Sequence, residues 1–382
     1  MSNEIVATIK KHFGEVKDPR QLGKVEHPLI NIIFITICGV LCGADSWVAI
    51  ESFGNAQKEW LSQYLNLEKG IPSHDTLGNT FAVIEREQFS RGFLSWMQAV
   101  CELVAGIVAI DGKQLRRSHD KYVGKEAIHM VSAWGETNGL VLGQQKVDEK
   151  SNEITAIPLL LAALDLTGCI VTIDAMGCQR EIAAQIDDQG GNYILSLKDN
   201  QGHLYEDVQE MFAYFHKIDF ADIEHDYHKT VDKGHGRIEV RECWTFNPHE
   251  WQEHFRTLDK WQGLRSVAMI RSQRIIDQKT TTETRFFIAS LVPQAQPILQ
   301  AKRHHWGIEN KLHWVLDVAF AEDLSRVRQG YAAENLAVIR HLVLNLLRQD
   351  KRSKLAVANK RLRCGWDISY RSQVLKGICS LC

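Results

Sequence analysis

The sequence predicts an α/β protein in which a mixed sheet follows an all-helical N-terminal region and is interrupted by a β-rich insertion. Apolar residues recur at helical spacing up to about residue 100. Short apolar runs that stop at polar turns then alternate with helical segments, and segments rich in β-branched and aromatic residues follow. We therefore expect a helical domain at 1–100, an α/β domain at 101–346 with an insertion at 199–298, and a C-terminal tail at 347–382.

The N-terminal region is expected to be a bundle of helices. Residues 28–44 carry no charge, but these 17 residues are fewer than the roughly 20 that a membrane span needs. We expect a buried helix at 29–44 and a further helical segment at 47–53, with no contact to a membrane. Ser73 has the residue type of a helix N-cap. An amphipathic stripe is formed by Phe89, Phe93, Trp96 and Met97.

The central region is expected to alternate strands with helices. Residues 103–110 are uniformly apolar and end at Asp111, as a buried central strand does. Asn138-Gly139 is a strong hairpin signal between strands expected at 127–134 and 140–147. A second buried strand at 169–173 stops at Asp174. The other elements expected here are helices at 154–164 and 179–189 and a strand at 192–197.

The insertion is expected to carry antiparallel strands. One helix at 204–215 precedes three segments with alternating β-branched and aromatic residues, at 237–246, 264–276 and 280–291. Trp244 lies on the first of these segments, where it is either a core residue or a wedge that stacks on DNA bases. Helical spacing returns at 298–319 and at 332–347.

Charge is distributed unevenly along the 382 residues. The whole chain has a net charge of −2, yet residues 337–382 contain ten Lys or Arg against two Asp. A basic tail on an acidic body is a charge asymmetry that proteins acting on nucleic acids use. A solvated helical tail without a partner is the alternative. Nine scattered cysteines and a charged N-terminus without a signal-peptide core suit a reducing, cytoplasmic location.

Two carboxylates are placed where α/β proteins build their sites. Asp111 and Asp174 each follow a predicted core strand, and sites in open α/β sheets lie at the carboxyl ends of strands. Capping of a helix or a turn would be the ordinary role of a single Asp. Two carboxylates this close require a cation to relieve their repulsion, which favours a metal site.

A third carboxylate, Glu309, lies on a predicted helix. Ile308, Leu312, Val315 and Ala319 form the buried stripe of this helix, and Glu309 lies at the edge of that stripe. A surface Glu is the common alternative. A zinc site formed by Glu309 with two neighbouring histidines is another, but its spacing differs from the HExxH pattern of metalloproteases. The two histidines, which could also contact DNA or orient Glu309, are His305 and His313.

Three short motifs resemble those of insertion-sequence transposases of the H-repeat-associated type. The motifs lie at 110–113, 172–179 and 305–314. Further blocks agree in order and spacing along nearly the whole chain. They lie at 72–76, 149–158 and 197–201, around Arg237, and at Lys360, Arg361, Trp366 and Asp367.

The resemblance implies an RNase H-like catalytic core with a DDE triad formed by Asp111, Asp174 and Glu309. It implies Mg²⁺ or Mn²⁺, with two ions, as the cofactor. It also implies double-stranded DNA, both element terminal repeats and target DNA, as the partner of a homodimer. No coiled-coil heptad in the sequence supports the dimer.

Several polar residues are candidates for DNA contact. A related, larger group of transposases has an Arg and a Lys where this chain has His305 and Leu316. Their DNA-clamping role would therefore fall to others, such as Arg303 or Lys311. The full candidate set is Lys113, Arg116, Arg117, Lys198, Asn200, Gln201, Arg237, Arg303, His305, Lys311 and His313. An ordinary polar turn or a solvated hairpin is the alternative for the members outside the helices.

Two other functions remain open at this point. One is a nuclease of the same fold that no longer mobilises an element, because mobility depends on terminal repeats outside the chain. The other is an inactive DNA-binding remnant. The presence of all three acidic residues argues against the remnant.

Overall fold

A computed structural model describes residues 2–21, 23, 25–100, 105–119, 126–148, 152–234, 236–277 and 279–379. Parts of the expected first strand and of one family block, at 103–104 and 149–151, lie outside these residues. No helix in the described part of the chain is both long and apolar enough to cross a membrane.

The N-terminal region is helical, as expected. Ser73 caps its helix by accepting a hydrogen bond from the backbone N of Thr76 at 3.2 Å. The uncharged segment forms a helix of 13 residues that is almost completely buried, which confirms the prediction of a buried helix. The helices are α1 (Ser2–Phe13), α2 (Leu29–Leu41), α3 (Trp47–Ala56), α4 (Lys58–Leu61), α5 (His74–Val83) and α6 (Arg86–Val100).

All described strands belong to one sheet of nine, in the order β3-β2-β1-β4-β5-β9-β8-β7-β6. The first three strands are antiparallel, and β1 runs parallel to β4, which runs parallel to β5. This arrangement is the RNase H-like core that the resemblance implies. The strands are β1 (Ile107–Gln114), β2 (His129–Gly135), β3 (Leu140–Lys146), β4 (Ile170–Ile173), β5 (Asn192–Leu197), β6 (Asp226–Gly234), β7 (Arg237–Phe246), β8 (Ser266–Ile276) and β9 (Lys279–Ala289).

The four strands of the insertion extend the core sheet, because β9 pairs antiparallel with β5. The edge strand β6 was not predicted from the sequence. Its residues are mostly polar and exposed, so it lacks the apolar alternation of its neighbours. Trp244 on β7 is buried and lies 4.9 Å from the guanidinium of Arg271, which supports its role as a core residue.

Helices cover both faces of the sheet and join it to the N-terminal region. The buried helix α12 packs against β3 on one side and against α2, α5 and α6 on the other. The helices after β3 are α7 (Glu153–Ala162), α8 (Arg180–Asp188), α9 (Gly202–Lys217), α10 (Ala295–His305), α11 (Trp314–Phe320), α12 (Ala332–Gln349), α13 (Val357–Trp366) and α14 (Ile368–Leu375).

The basic C-terminal segment packs on the body of the protein instead of extending into solvent. Lys360 donates to the carbonyl of Leu347 at 2.9 Å. Arg361 donates to the carbonyl of Val40 at 2.7 Å and pairs with Asp45. The guanidinium of the fully buried Arg371 lies 4.0 Å from the centre of the Trp60 ring. Guanidinium groups carry five donors, so they can satisfy carbonyls at the junction of helices. At least three of the tail's cations therefore serve the fold.

Candidate active site

Neighbouring parallel strands bring Asp111 and Asp174 together. Ile110 of β1 is the register partner of Ile173 of β4, so the two aspartates that follow occupy adjacent positions. The expectation that Asp111 ends its strand was wrong. The strand continues to Gln114 because polar residues after Asp111 pair with β2, where Ser132 lies opposite Asp111. Asp174 does follow the last residue of β4, as predicted.

Glu309 lies on a π-helical turn, Ile308–His313, between α10 and α11. The sequence predicted one continuous α-helix at 298–319, and the wider turn interrupts it. π-Helical turns are rare in proteins, and those that do occur are often found at functional sites. This turn directs two side chains toward Asp111, since a Glu309 carboxylate oxygen and an Asp111 oxygen lie 3.5 and 3.7 Å from Nδ1 of His313.

The site concentrates negative charge in a half-buried place. Burial raises the pKa of Asp111 to about 6; the neighbouring His313 opposes this rise, while the carboxylates of Glu309 and Asp174 add to it. The nearby His313 is the main cause that lowers the pKa of Glu309. Adjacent carboxylates that disfavour each other's ionisation are stabilised by a bound cation.

Asp174 lies in the same cleft but is held differently. Its Oδ1 accepts hydrogen bonds from the backbone N of Met176 at 3.0 Å and of Gly177 at 3.4 Å, which fixes the carboxylate at the end of β4. The cleft has a volume of about 370 Å³ and is lined by the three predicted catalytic acids and by Glu283. Asp174 is not in the tighter group of Asp111, Glu309 and His313, whose potential ligand atoms lie within 4.8 Å of one another.

The donor set fits a divalent cation. Carboxylate oxygens are the ligands that Mg²⁺ and Mn²⁺ prefer, and the carboxylates of Asp111, Asp174 and Glu309 face one cleft here. Within the described residues, His313 leaves its buried Nε2 without a hydrogen-bond partner. The zinc alternative required His305 in the same group. His305 instead bonds through Nδ1 to the Thr172 hydroxyl at 3.0 Å and lies outside the group.

Three predicted DNA contacts after the first motif differ in their surroundings. The ammonium of Lys113 pairs with Asp317 and, at 2.9 Å, with Glu322, and its side chain is only 12% exposed. This burial argues against a DNA contact by Lys113. Arg116 is exposed and pairs with Asp323 at 3.2 Å. Arg117 is exposed, and its carbonyl accepts a hydrogen bond from Arg328.

The turn after β5 supports the loop that follows Asp174. Asn200 donates to the carbonyl of Ala175 at 2.8 Å, and Gln201 donates to the carbonyl of Cys178 at 2.9 Å. Both amides therefore position the Asp174 loop, a role that the sequence did not reveal. Lys198 is exposed at the cleft that contains the triad, so its predicted phosphate contact stays a prediction.

A basic groove adjoins the cleft. This groove, of about 690 Å³, shares Glu283, Arg285, Lys302 and Trp306 with the triad cleft. Its lining includes the predicted DNA contacts Arg237 and Arg303, which pair with Glu239 at 2.9 Å and Asp232 at 3.1 Å respectively. The other cations of this lining, which were not predicted as DNA contacts, are Arg241, Arg274, Arg285 and Lys302.

The three remaining predicted contacts lie on the last motif, and one of them, His313, has a side chain that is only 5% exposed. Burial lowers the pKa of His305 to about 4, so this side chain is neutral and carries no charge for a phosphate. Lys311 is half-exposed and pairs with Glu136. Its predicted DNA contact stays a prediction.

A pair formed by a buried glutamate and a partly exposed histidine beside the site was also missed. Glu153, the first residue of α7, accepts a hydrogen bond from Nε2 of His129 at 2.8 Å, and its charge contributes to the raised pKa of Asp111. A Cβ on Gly112 would lie 2.0 Å from the Glu153 carboxylate, so only glycine leaves room for the pair next to Asp111. Glu153 was seen only as a helix-start residue in a family block.

Comparisons with known proteins agree with the geometry. A family model described as "Transposase DDE domain" matches residues 103–346, and one described as "DDE_Tnp_1-associated" matches residues 10–97. The chain is 41% identical to "Putative transposase YncI" of Escherichia coli O157:H7, over 97% of this chain and 95% of the relative. It is 40% identical to "H repeat-associated putative transposase YhhI" of Escherichia coli strain K12, over 97% of this chain and 98% of the relative.

A solved structure is similar at much greater distance. The piggyBac transposase synaptic complex with hairpin DNA has a TM-score of 0.44 and 9% identity, over 98% of this chain and 78% of that chain. At this distance the similarity decides nothing about this chain. The DDE-domain model spans most of the chain, and the two bacterial relatives align along almost their whole length. The chain therefore belongs to the H repeat-associated DDE transposases, a family of DNA transposases.

Proposed function

We propose that this transposase cleaves DNA at the ends of an insertion element and joins the freed strand to target DNA, using Asp111, Asp174 and Glu309 as its catalytic carboxylates. The observation that carries the proposal is their convergence in one cleft. They come from two adjacent parallel strands and one helical turn, so the fold itself assembles them.

The three carboxylates would hold Mg²⁺ or Mn²⁺, and their number supports two ions. Asp111 lies on β1, between β2 and β4, and is the candidate to contact both ions, while Asp174 and Glu309 would each contact one. Cations in such a site stabilise the charge on the attacking and leaving oxygens of a displacement at phosphorus.

Two displacements complete the proposed reaction. Water attacks a phosphorus at the element end, the bond to the 3′-oxygen breaks, and that oxygen takes up a proton to become a 3′-hydroxyl. The hydroxyl then loses its proton as it attacks a phosphorus in target DNA, where a second 3′-oxygen leaves. The carboxylates orient both reactions in the same cleft, since attacking and leaving groups must lie in line.

The basic groove supports a path for the DNA backbone. Six cationic side chains line it against two acidic ones, and it opens directly onto the cleft. Backbone contacts of this kind supply most of the sequence-independent affinity for DNA. Because two element ends need two active sites, we also propose that the chain acts as a homodimer on DNA.

The test is cleavage of supercoiled plasmid DNA that carries the element ends, with Mg²⁺, Mn²⁺ or EDTA. We expect nicking and joining with either metal and none with EDTA. Glu309→Gln should reduce cleavage by about a thousandfold or more, because it removes a charged ligand from the reacting centre. Glu181→Gln is the matched control, since Glu181 is exposed on α8 away from the cleft.

Each other outcome identifies a different function. Cleavage that persists in Glu309→Gln would rule out the assigned triad. Cleavage without joining would support a nuclease that no longer transposes. Binding of the element ends without cleavage under any metal would support the inactive remnant.

A further inference from the structure

We infer that His313 is itself a metal ligand, so that one of the two cations is held by Asp111, Glu309 and Nδ1 of His313. This inference rests on the proposed function, because it takes the triad as the cation site. It changes the ligand set from three carboxylates to carboxylates and one nitrogen donor.

The distances fit three donors around one ion. Nδ1 of His313 lies 3.5 Å from a Glu309 oxygen and 3.7 Å from an Asp111 oxygen, and all three potential ligand atoms lie within 4.8 Å of one another. Donors that are each about 2.2 Å from one ion lie about 3 to 4 Å from each other. Both observed separations are at or beyond the outer limit of a good hydrogen bond.

The burial of His313 excludes the alternative of a DNA contact. Its side chain is 5% exposed, so the phosphates of a duplex cannot reach it. It projects from the π-helical turn with its Nδ1 toward the carboxylates, and its Nε2 is buried. A neutral imidazole that carries its proton on Nε2 leaves Nδ1 free to coordinate a metal.

The second ring nitrogen of His313 is buried. Nε2 has no partner among the described residues, and the same holds for the buried Nδ1 of His341 on α12. Burial lowers the pKa of His341 and the charge of His313 is among the further causes, so the two rings lie near each other. Ligating histidines commonly donate a hydrogen bond from their second nitrogen to an outer partner.

A nitrogen donor has a consequence for the choice of ion. Mg²⁺ is a hard cation that takes oxygen ligands, whereas divalent transition metals accept imidazole. We therefore expect this position to bind Mn²⁺ more tightly than Mg²⁺. His313→Gln should weaken Mn²⁺ binding by at least about tenfold, since even the outer partners of metal ligands contribute about 10- to 100-fold. Mg²⁺ binding should change much less.

The direct test is the electron spin echo spectrum of Mn²⁺ added to the full-length protein without DNA. We expect a ¹⁴N coupling typical of bound imidazole in the wild type, replaced by a ¹⁵N coupling when the protein is made with ¹⁵N-histidine. The coupling should disappear in His313→Gln while Mn²⁺ remains bound by the carboxylates. It should persist in His305→Gln and His129→Gln, which remove two other histidines near the triad.

If His313→Gln fails to fold, the inference is still tested by His305→Gln and His129→Gln. The ¹⁴N coupling must survive in both of these variants. Bound Mn²⁺ with no nitrogen coupling in the wild type would overturn the inference and leave the proposed function intact. Loss of the coupling in His305→Gln or His129→Gln would also overturn it. Absence of any Mn²⁺ site that depends on Asp111, tested with Asp111→Asn, would overturn the proposed function as well.

Discussion

At the scale of single residues, Lys302 places a positive charge beside the proposed DNA path in a position whose burial disfavours that charge. It lies where the triad cleft meets the basic groove, with its ammonium 5.5 Å from the Trp306 ring. Burial, and then the charge of Arg285, lowers its pKa to about 8, although Glu283 and the site aspartates oppose this shift. The folded protein therefore holds a charged group in a place that disfavours charge.

We expect replacement of the Lys302 ammonium by an apolar group to raise the free energy of unfolding by an amount that depends on pH. The unfolded chain binds more protons than the folded one between about pH 8 and the ordinary lysine value of 10.5, so the cost of the charge is full below pH 8 and fades as the pH rises. Lys302→Met should raise the free energy of unfolding by about 2 kcal/mol at pH 7. The gain should shrink toward zero by about pH 10.5, measured by urea unfolding in EDTA.

An arginine at this position provides the control. Lys302→Arg keeps its charge at every pH in this window, because arginine does not deprotonate there. This variant should match the wild type at pH 7 and be the less stable of the two at pH 10. Equal behaviour of the Met variant and the wild type at pH 7 would contradict the predicted cost.

At the scale of elements, one side chain completes the edge of the sheet. β3 is the outermost strand next to β2, and helix α12 crosses it. The buried Asn345 of α12 accepts a hydrogen bond from the backbone N of Val141 and donates one to its carbonyl, both at 2.9 Å. The amide thus replaces a missing strand at one position. It also fixes α12, and with it the helical region, against the sheet.

Asn345→Leu should destabilise the protein by about 2 to 5 kcal/mol in urea unfolding, because it leaves a buried backbone N–H and carbonyl without partners. Gln349→Leu near the end of α12 is the matched amide control, since its bond to Asn138 is a weak 3.4 Å and should cost less than about 1 kcal/mol. A similar small cost for both variants would show that solvent satisfies Val141.

The elements that the sequence predicts are those whose burial is uniform. The short apolar run before Asp174 is interpreted only as a buried strand, and that strand ends where the polar residues begin. The same logic misplaced the end of β1, because pairing with β2 stabilises polar residues in an extended conformation. Strand β6 was missed because an exposed strand at an edge needs no apolar face.

The site likewise has features that the sequence predicted and features that it did not. The sequence supplied three acidic residues but not the π-helical turn, because one residue more per turn leaves the apolar spacing of Ile308, Leu312 and Leu316 almost unchanged. It placed His313 as a possible DNA contact, since nothing in the spacing revealed that the ring is buried. The pair of His129 and Glu153 is distant in sequence from every motif acid, and only the fold brings it to Asp111.

At the scale of the whole molecule, positive charge is used in two ways. In the C-terminal segment, Arg361 binds the carbonyls of Val40 and Ala319 and pairs with Asp45, which joins α13 to the N-terminal region. In the basic groove, Arg303 is exposed and beside the triad cleft. Part of the positive charge at the C-terminus is therefore used in packing, and under the proposed function the groove on the insertion is the expected path of the DNA backbone.

This division predicts different salt dependence for two arginine variants. Each phosphate contact that is lost should reduce the slope of log binding constant against log salt concentration by about 1. We expect that reduction in Arg303→Gln, measured by fluorescence anisotropy on duplex DNA, with no loss of stability. Arg361→Gln should keep the wild-type slope but lose about 2 to 4 kcal/mol of stability, because it leaves buried carbonyls unpaired. If Arg361→Gln instead lowers the slope while its stability is unchanged, the C-terminal segment binds DNA and the groove is not the main path.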